Sequence, residues 1–294
     1  MHRQSNIVGR QPRAASLAHL LCSAAHVKII TSRQNALVTR FRLARRERRA
    51  ARTHLVLDGL RIVTDAKCAG VTIDTLLVSA TALHADADVR ALVDDCDADL
   101  TVLATGTDRV MDAVSPLRTA STAVALAQHN PFKIDSIISP SASGCILMPI
   151  GVQDPGNIGA IVRTAAAAGA TGVIVDPSSA DPFGWKALRG AMGCTFRLPV
   201  ADASAVVNVL EQAHRHGWTV VATVPSGATS LYETNFERPV LVLIGNEGAG
   251  LDEPIKKAAN ETVSIPIADG VESLNVAVAA GVIAYEVRRQ RTSA

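Results

Sequence analysis

Aromatic residues make up only 3% of the 294-residue chain, which argues against a sheet that binds RNA by stacking bases on Phe and Tyr. Cysteine is sparse and unpatterned: Cys22, Cys68, Cys96, Cys145 and Cys194 never stand in CxxC spacing. That argues against a zinc ribbon or a disulfide framework. It reads instead as small buried hydrophobes in a reducing, cytoplasmic compartment, with no metal ligand among them. No stretch of eighteen uninterrupted apolar residues exists, so no membrane span is expected. Acids are nearly missing from the front. Residues 1–57 hold twelve Lys/Arg against Glu47 alone, while the remainder holds seventeen basic and twenty-six acidic residues. A basic end on an acidic body points to a polyanionic partner, with nucleic acid first.

What is present is mostly small and apolar. Hydrophobic residues reach 48%, enough for an ample core and two domains. Residues 1–30 lack acids and periodicity and read as a disordered extension, with at most a short helix over 17–30. Arg40–Arg52 holds seven arginines and one acid. It reads as a helix with charge on all sides, with Arg40, Arg42, Arg45, Arg46, Arg49 and Arg52 set to meet RNA phosphates. From His54 to Ala127, strands and helices alternate as a small α/β domain, in which His84–Asp95 is read as one helix. Residues 31–127 are therefore assigned to one small domain and the Pro- and Ser-bearing stretch 128–143 to a linker.

Residues 144–294 repeat the alternation on a larger scale: strands at 145–150, 172–176, 219–224 and 240–244, with helices between them. This pattern predicts a mostly parallel sheet covered on both faces. Ligands of such sheets sit beyond the carboxyl ends of the strands. Three turns fall there: Val224–Gly227, Gly245–Gly250 and Pro266–Asn275. The sequence Gly245-Asn-Glu-Gly-Ala-Gly250 is not a dinucleotide fingerprint, because it follows a late strand and no acid ends the next one. A P-loop lysine is missing as well. Taken singly, Asn157 reads as a helix N-cap, Arg163 as a salt-bridge partner, Glu247 as a surface carboxylate, and Ser273 or Asn275 as the cap of the last helix. Together they are the polar groups of three segments otherwise built from Ala, Val, Ile and Gly, all brought to one sheet edge.

Three motifs, Asn157-x-Gly-x-x-x-Arg163, Ile-Gly245-Asn-Glu247-Gly-x-Gly and Ile265-Pro-x-x-x-Gly-x-x-Ser273-Leu-Asn275-Val, resemble those of the SpoU/TrmH class of RNA ribose 2′-O-methyltransferases, within the SPOUT superfamily. The resemblance covers residues 145–290. Residues 35–127 are more loosely similar to the ribosomal-protein-like domain that many members carry, in a two-domain plan shared with thiostrepton-resistance enzymes acting on 23S rRNA. At Leu57-Asp58-Gly59 the chain has Asp where many relatives have Glu. The resemblance implies an α/β-knot, with a trefoil-knotted, mostly parallel sheet, and a homodimer. It also implies S-adenosylmethionine (AdoMet) held by groups around Gly245, Ile265 and Leu274, with Ile244 and Thr223 beside them. Asn157, Arg163, Glu247, Ser273 and Asn275 are implied as the catalytic set, and rRNA as the substrate. A tRNA methyltransferase is the alternative within the class, and a non-catalytic RNA-binding or ribosome-assembly factor is the alternative outside it.

Overall fold

Residues 28–95, 102–139, 144–246 and 248–292 are described by a computed structural model of the chain. The first sheet holds β1 (Lys28–Ile30), β2 (His54–Asp58), β3 (Ile73–Ser79), β4 (Val102–Gly106) and β5 (Ala123–Gln128), in the order β1-β4-β3-β5-β2. β5 runs antiparallel to both neighbours, and the other pairings are parallel. Its sequence alternates small with large residues rather than apolar with polar, and both faces are buried. Val124 and Leu126 join Phe41, Leu77 and Met111 in one core. Ala123, Ala125 and Ala127 face the other way, beside Ile62, Val63 and Ala66 of the helix Leu60–Cys68. The small side chains let that helix lie close to the sheet.

Several sequence expectations change here. Lys28–Ile30 is an edge strand, so the domain starts before residue 31, and the rest of the proposed extension lies outside the described residues. The basic segment is not one helix. It is a helix at Ala36–Ala44, a turn, and a 3₁₀ turn at Arg49–Ala51. The break has a local cause. The Glu47 carboxylate accepts hydrogen bonds from the backbone N–H groups of Thr53 and His54 and folds the chain back toward β2. The stretch 84–95 is split at Asp86, which ends Ala80–Ala85 and caps Ala87–Asp94 by accepting from Asp88 N at 2.9 Å. Stretch 128–143 carries a short helix, Ile134–Ile137, whose Ile137 is buried with Ile138 against the second sheet. Of the cysteines, Cys145 is buried, Cys194 is half-buried and Cys68 is exposed, which departs from the uniform burial expected. Cys22 and Cys96 lie outside the described residues.

The second sheet is parallel throughout: β6 (Cys145–Pro149), β7 (Gly172–Val175), β8 (Val200–Asp202), β9 (Thr219–Thr223), β10 (Thr229–Ser230), β11 (Val240–Ile244) and β12 (Glu261–Ser264), in the order β10-β12-β9-β11-β6-β7-β8. In β11, Val240, Val242 and Ile244 face one core while Leu241 and Leu243 face the other. That two-sided burial is why the strand reads as an unbroken apolar run. The helices Pro155–Ala168, Trp185–Ala191 and Val276–Thr292 cover the first face, and Val206–Arg215 covers the second.

The helix Pro155–Ala168 starts one turn earlier than an Asn157 cap would allow. Asp154 is the N-cap and accepts from Gly156 N at 2.7 Å, with Pro155 preset for the first turn. Gly159 sits where this helix crosses Trp185–Ala191. A Cβ there would lie 2.4 Å from the Ala187 carbonyl oxygen, so the two backbones touch only because the side chain is missing. At the far end Gly169, at φ +77°, ends the helix in the left-handed conformation. Among the described residues no helix is long and apolar enough to cross a membrane.

Candidate active site

Three strand ends meet at one edge of the second sheet. The turn after β9 brings Thr223, Val224 and Pro225. The turn after β11 brings Gly245, Asn246 and the residues from Gly248 to Leu251, and the path from β12 to the last helix brings Ile265, Ile267, Ser273 and Leu274. They enclose a cleft of about 360 Å³, floored by Val263, Val276 and Ile283. The turn after β11 is held by its own side chain. Asn246 Oδ1 accepts from Gly248 N at 3.0 Å and from Ala249 N at 2.7 Å, and Gly250 N donates to Asn246 O at 3.2 Å. This self-bonded asparagine turn folds so tightly that a Cβ on Gly245 would lie 2.5 Å from the Gly250 carbonyl carbon. All five residues expected around a cofactor, Thr223, Ile244, Gly245, Ile265 and Leu274, line this cleft, as does Ser273. The Thr223 hydroxyl donates to the Leu243 carbonyl oxygen at 3.0 Å and so pins β9 to β11.

Asn157 and Asn275 form a neighbouring pair rather than part of the lining. Asn275 Nδ2 donates to Asn157 Oδ1 at 3.2 Å. Asn275 Oδ1 accepts from Ala277 N at 3.0 Å and Val278 N at 3.3 Å, capping the last helix. One side chain thus starts Val276–Thr292 and ties its first turn to the first turn of Pro155–Ala168. Six residues along that second helix, a rise of roughly 9 Å, Arg163 is exposed, and its Nη1 lies 2.9 Å from Met192 Sδ. Met192 itself is 54% exposed and holds φ +48°. Glu247 lies outside the described residues.

Two charged residues in the cleft carry no motif and went unnoticed in the sequence: Lys256, paired with Glu253, and Glu272. Asn246 stands in the second motif but was given no role, although an Asn just past a strand end in a glycine-rich turn is a recognisable signal. Among the described residues no group of His, Cys, Asp and Glu could hold a metal ion.

The six arginines expected on RNA go to different places. Arg45 and Arg46 are exposed. Arg42 Nε donates to the Ala113 carbonyl oxygen at 3.5 Å. Arg40 Nη1 donates to Thr75 Oγ1 at 3.2 Å, and its Nη2 lies 3.8 Å from Asp74 Oδ2. Arg49 and Arg52 turn inward onto the second domain, pairing with Asp202 and Asp181. Those two are corrected from RNA contacts to contacts between domains.

Chemically, the cleft offers apolar walls, turn backbone and a few polar side chains, those of Thr223, Asn246, Lys256, Glu272 and Ser273. A cavity of this size with a few convergent polar groups suits a small heterocyclic ligand. Its neighbour, an Asn pair with an exposed guanidinium beyond it, suits phosphate or sugar oxygens. An uncharacterized tRNA/rRNA methyltransferase of Synechocystis sp. is 43% identical over 143 residues, 49% of this chain and 52% of that protein. The chain spans about half the length of the curated relatives it matches. The crystal structure of an AdoMet-bound rRNA methyltransferase from Sinorhizobium meliloti is similar over 90% of this chain and 98% of its own, at 29% identity and a TM-score of 0.79. The crystal structure of an RNA 2′-O ribose methyltransferase is similar over 90% of this chain and 99% of its own, at 29% identity and a TM-score of 0.73. Residues 144–285 match the model of the SpoU rRNA Methylase family, and this domain, with the cleft and the Asn157–Asn275 pair inside it, belongs to that family.

Proposed function

We propose that the chain transfers a methyl group from AdoMet to a ribose 2′-oxygen of RNA, with rRNA as the substrate, and that it works as a homodimer in the cytoplasm. The observation that carries this reading is the adjacency of two sites. One is an apolar-walled cleft built from three strand-end turns, and the other is the Asn157–Asn275 pair with Arg163 beyond it. The cleft fits AdoMet by its chemistry. Ile244, Ile265 and Leu274 offer an apolar wall, and Gly245 lets backbone approach where a Cβ would collide. When bound there, AdoMet supplies a sulfonium methyl that an oxygen nucleophile can take.

The chain's own residues have three tasks. The 2′-hydroxyl is a poor nucleophile, so its proton must leave as the new bond forms. Arginine stays protonated in proteins, so Arg163 is not a simple base. It holds a phosphate or the ribose oxygen and stabilises the negative charge that develops. Asn157 and Asn275, locked amide to amide, orient the sugar or Arg163, while Ser273 hydrogen-bonds nearby and Glu247 supports the turn. Arg40, Arg42, Arg45 and Arg46 on the N-terminal domain supply phosphate contacts. The exposed Val278 and Tyr285, two turns apart on the last helix, fit a face covered in the homodimer. The return of that helix to Pro155–Ala168 from beyond β12 fits the trefoil path of the superfamily.

Methyl transfer from radiolabelled AdoMet to separated 23S, 16S and transfer RNA, followed by digestion to nucleosides, tests the reading. Label in a 2′-O-methylnucleoside from 23S rRNA is expected. Label in transfer RNA alone would replace rRNA with tRNA as the substrate. Cofactor binding without label in any RNA would leave a binding or assembly factor.

A further inference from the structure

Arg49 lies 153 residues from Asp202 in sequence, yet its side chain is mostly buried against the second domain. Nη1 donates to the Asp176 carbonyl oxygen at 3.2 Å and the Ser179 carbonyl oxygen at 2.9 Å. Nη2 donates to the Val175 carbonyl oxygen at 3.3 Å and to Asp202 Oδ1 at 2.5 Å. A guanidinium has five N–H groups. Four of them are committed here, so this arginine has almost nothing left for a phosphate. Arg52 reinforces the contact by pairing with Asp181.

The loop that Arg49 grips reaches the cleft through a second layer of bonds. Asp176 Oδ1 accepts from Gly151 N at 3.1 Å, Ser179 Oγ accepts from Val152 N at 2.9 Å, and Ala180 N donates to the Val152 carbonyl oxygen at 2.8 Å. The turn 150–153 is therefore held from one side by the gripped loop. On its other side, Ile150 N donates to the Ile244 carbonyl oxygen at 2.8 Å. Gly151, at φ +72°, packs so closely that a Cβ would lie 2.9 Å from Asn246 Nδ2, the side chain that closes the cleft turn. The same turn leads into Pro155–Ala168, which carries Asn157 and Arg163.

We propose that Arg49 is a positioning residue for the methyl-transfer site: it carries the docking of the N-terminal domain through loop 175–179 and turn 150–153 to both the cleft turn and the helix of Arg163. The proposal rests on the methyltransferase reading for its effect on turnover, but not for its mechanical part. Lysine keeps a charge for Asp202 yet is not a planar fork, so it cannot span three carbonyls and a carboxylate.

The test uses the full chain with Arg49→Ala and Arg49→Lys. Amide hydrogen exchange is followed over 150–153 and 244–250, and AdoMet affinity is measured by calorimetry without RNA. Arg49→Ala is expected to speed exchange in both segments and weaken AdoMet binding about tenfold, within the usual range for coupled sites. Arg49→Lys is expected to fall between the two and serves if the alanine variant does not fold. Unchanged exchange in both variants would overturn the proposal. So would an unchanged AdoMet affinity accompanied by weaker RNA binding and a shallower salt dependence, which would make Arg49 a phosphate contact. A wild-type chain that binds no AdoMet would instead defeat the methyltransferase reading, and exchange alone would then decide whether Arg49 holds the turn.

Discussion

Gly245 stands at the tightest point of the cleft. Its hypothetical Cβ meets Gly250 backbone atoms at 2.5 and 2.7 Å and Leu251 N at 2.8 Å. Backbone cannot swing aside as a flexible side chain can, so Gly245→Ala must open the turn that Asn246 closes. Overpacking of this kind costs about 1–3 kcal/mol. Because the turn is also a wall of the cleft, we expect AdoMet affinity to fall by at least about tenfold, which corresponds to ~1.4 kcal/mol. Calorimetry on the variant checks this, with the melting temperature as a control for global damage. Full affinity in a folded Gly245→Ala would show that the cleft is not where the cofactor sits. Gly248 differs: its nearest contact is Asn246 Oδ1 at 3.7 Å. Alanine there is expected to be mild.

At the level of elements, the first turns of Pro155–Ala168 and Val276–Thr292 are joined by the Asn157–Asn275 bond. Asn275→Ala removes a helix cap, at a cost of about 1 kcal/mol, and releases Asn157 from that partner. Arg163→Ala removes an exposed side chain and its contact with Met192 Sδ. The two should separate in kinetics. Arg163→Ala is expected to lower turnover by about a hundredfold or more, as for a lost transition-state donor, with AdoMet affinity nearly unchanged. Asn275→Ala should lower both turnover and melting temperature. Wild-type turnover in Arg163→Ala would remove Arg163 from the reaction.

Much of this site was legible in the sequence. Apolar runs ending on glycine marked the strand ends, and the alternation of strands and helices put those ends on one edge. The start of Pro155–Ala168 was misplaced because two side chains could cap it. Asp154 wins because Pro155 favours the first helical position directly after it. The fate of Arg49 and Arg52 was not legible at all. An arginine's pattern in sequence is the same whether phosphate or a distant carboxylate receives it, and Asp202 and Asp181 lie 153 and 129 residues away.

Those same contacts make the molecule one unit rather than two domains on a tether. Arg49 and Arg52 reach across to the second domain, Asp65 receives Arg197 at 3.2 Å, and His129 meets Phe183 edge-on at 4.5 Å between ring centroids. His129 gives this junction a pH dependence whose sign can be worked out. Burial lowers its pKa below the ordinary 6.5, and the Arg52 guanidinium lowers it further, while Asp202, Asp181 and Glu47 oppose the shift without cancelling it. The folded chain therefore refuses a proton that the unfolded chain accepts below about pH 6.5. Stability contributed by neutral His129 is present above that value and declines as pH falls, until the folded group itself protonates. His129→Gln cannot titrate. Its deficit against the wild type in urea midpoint should be largest at neutral pH and shrink toward pH 5. Parallel midpoint curves for the two proteins across that window would mean that His129 does not titrate between the folded and unfolded states, and that the junction draws no pH dependence from it.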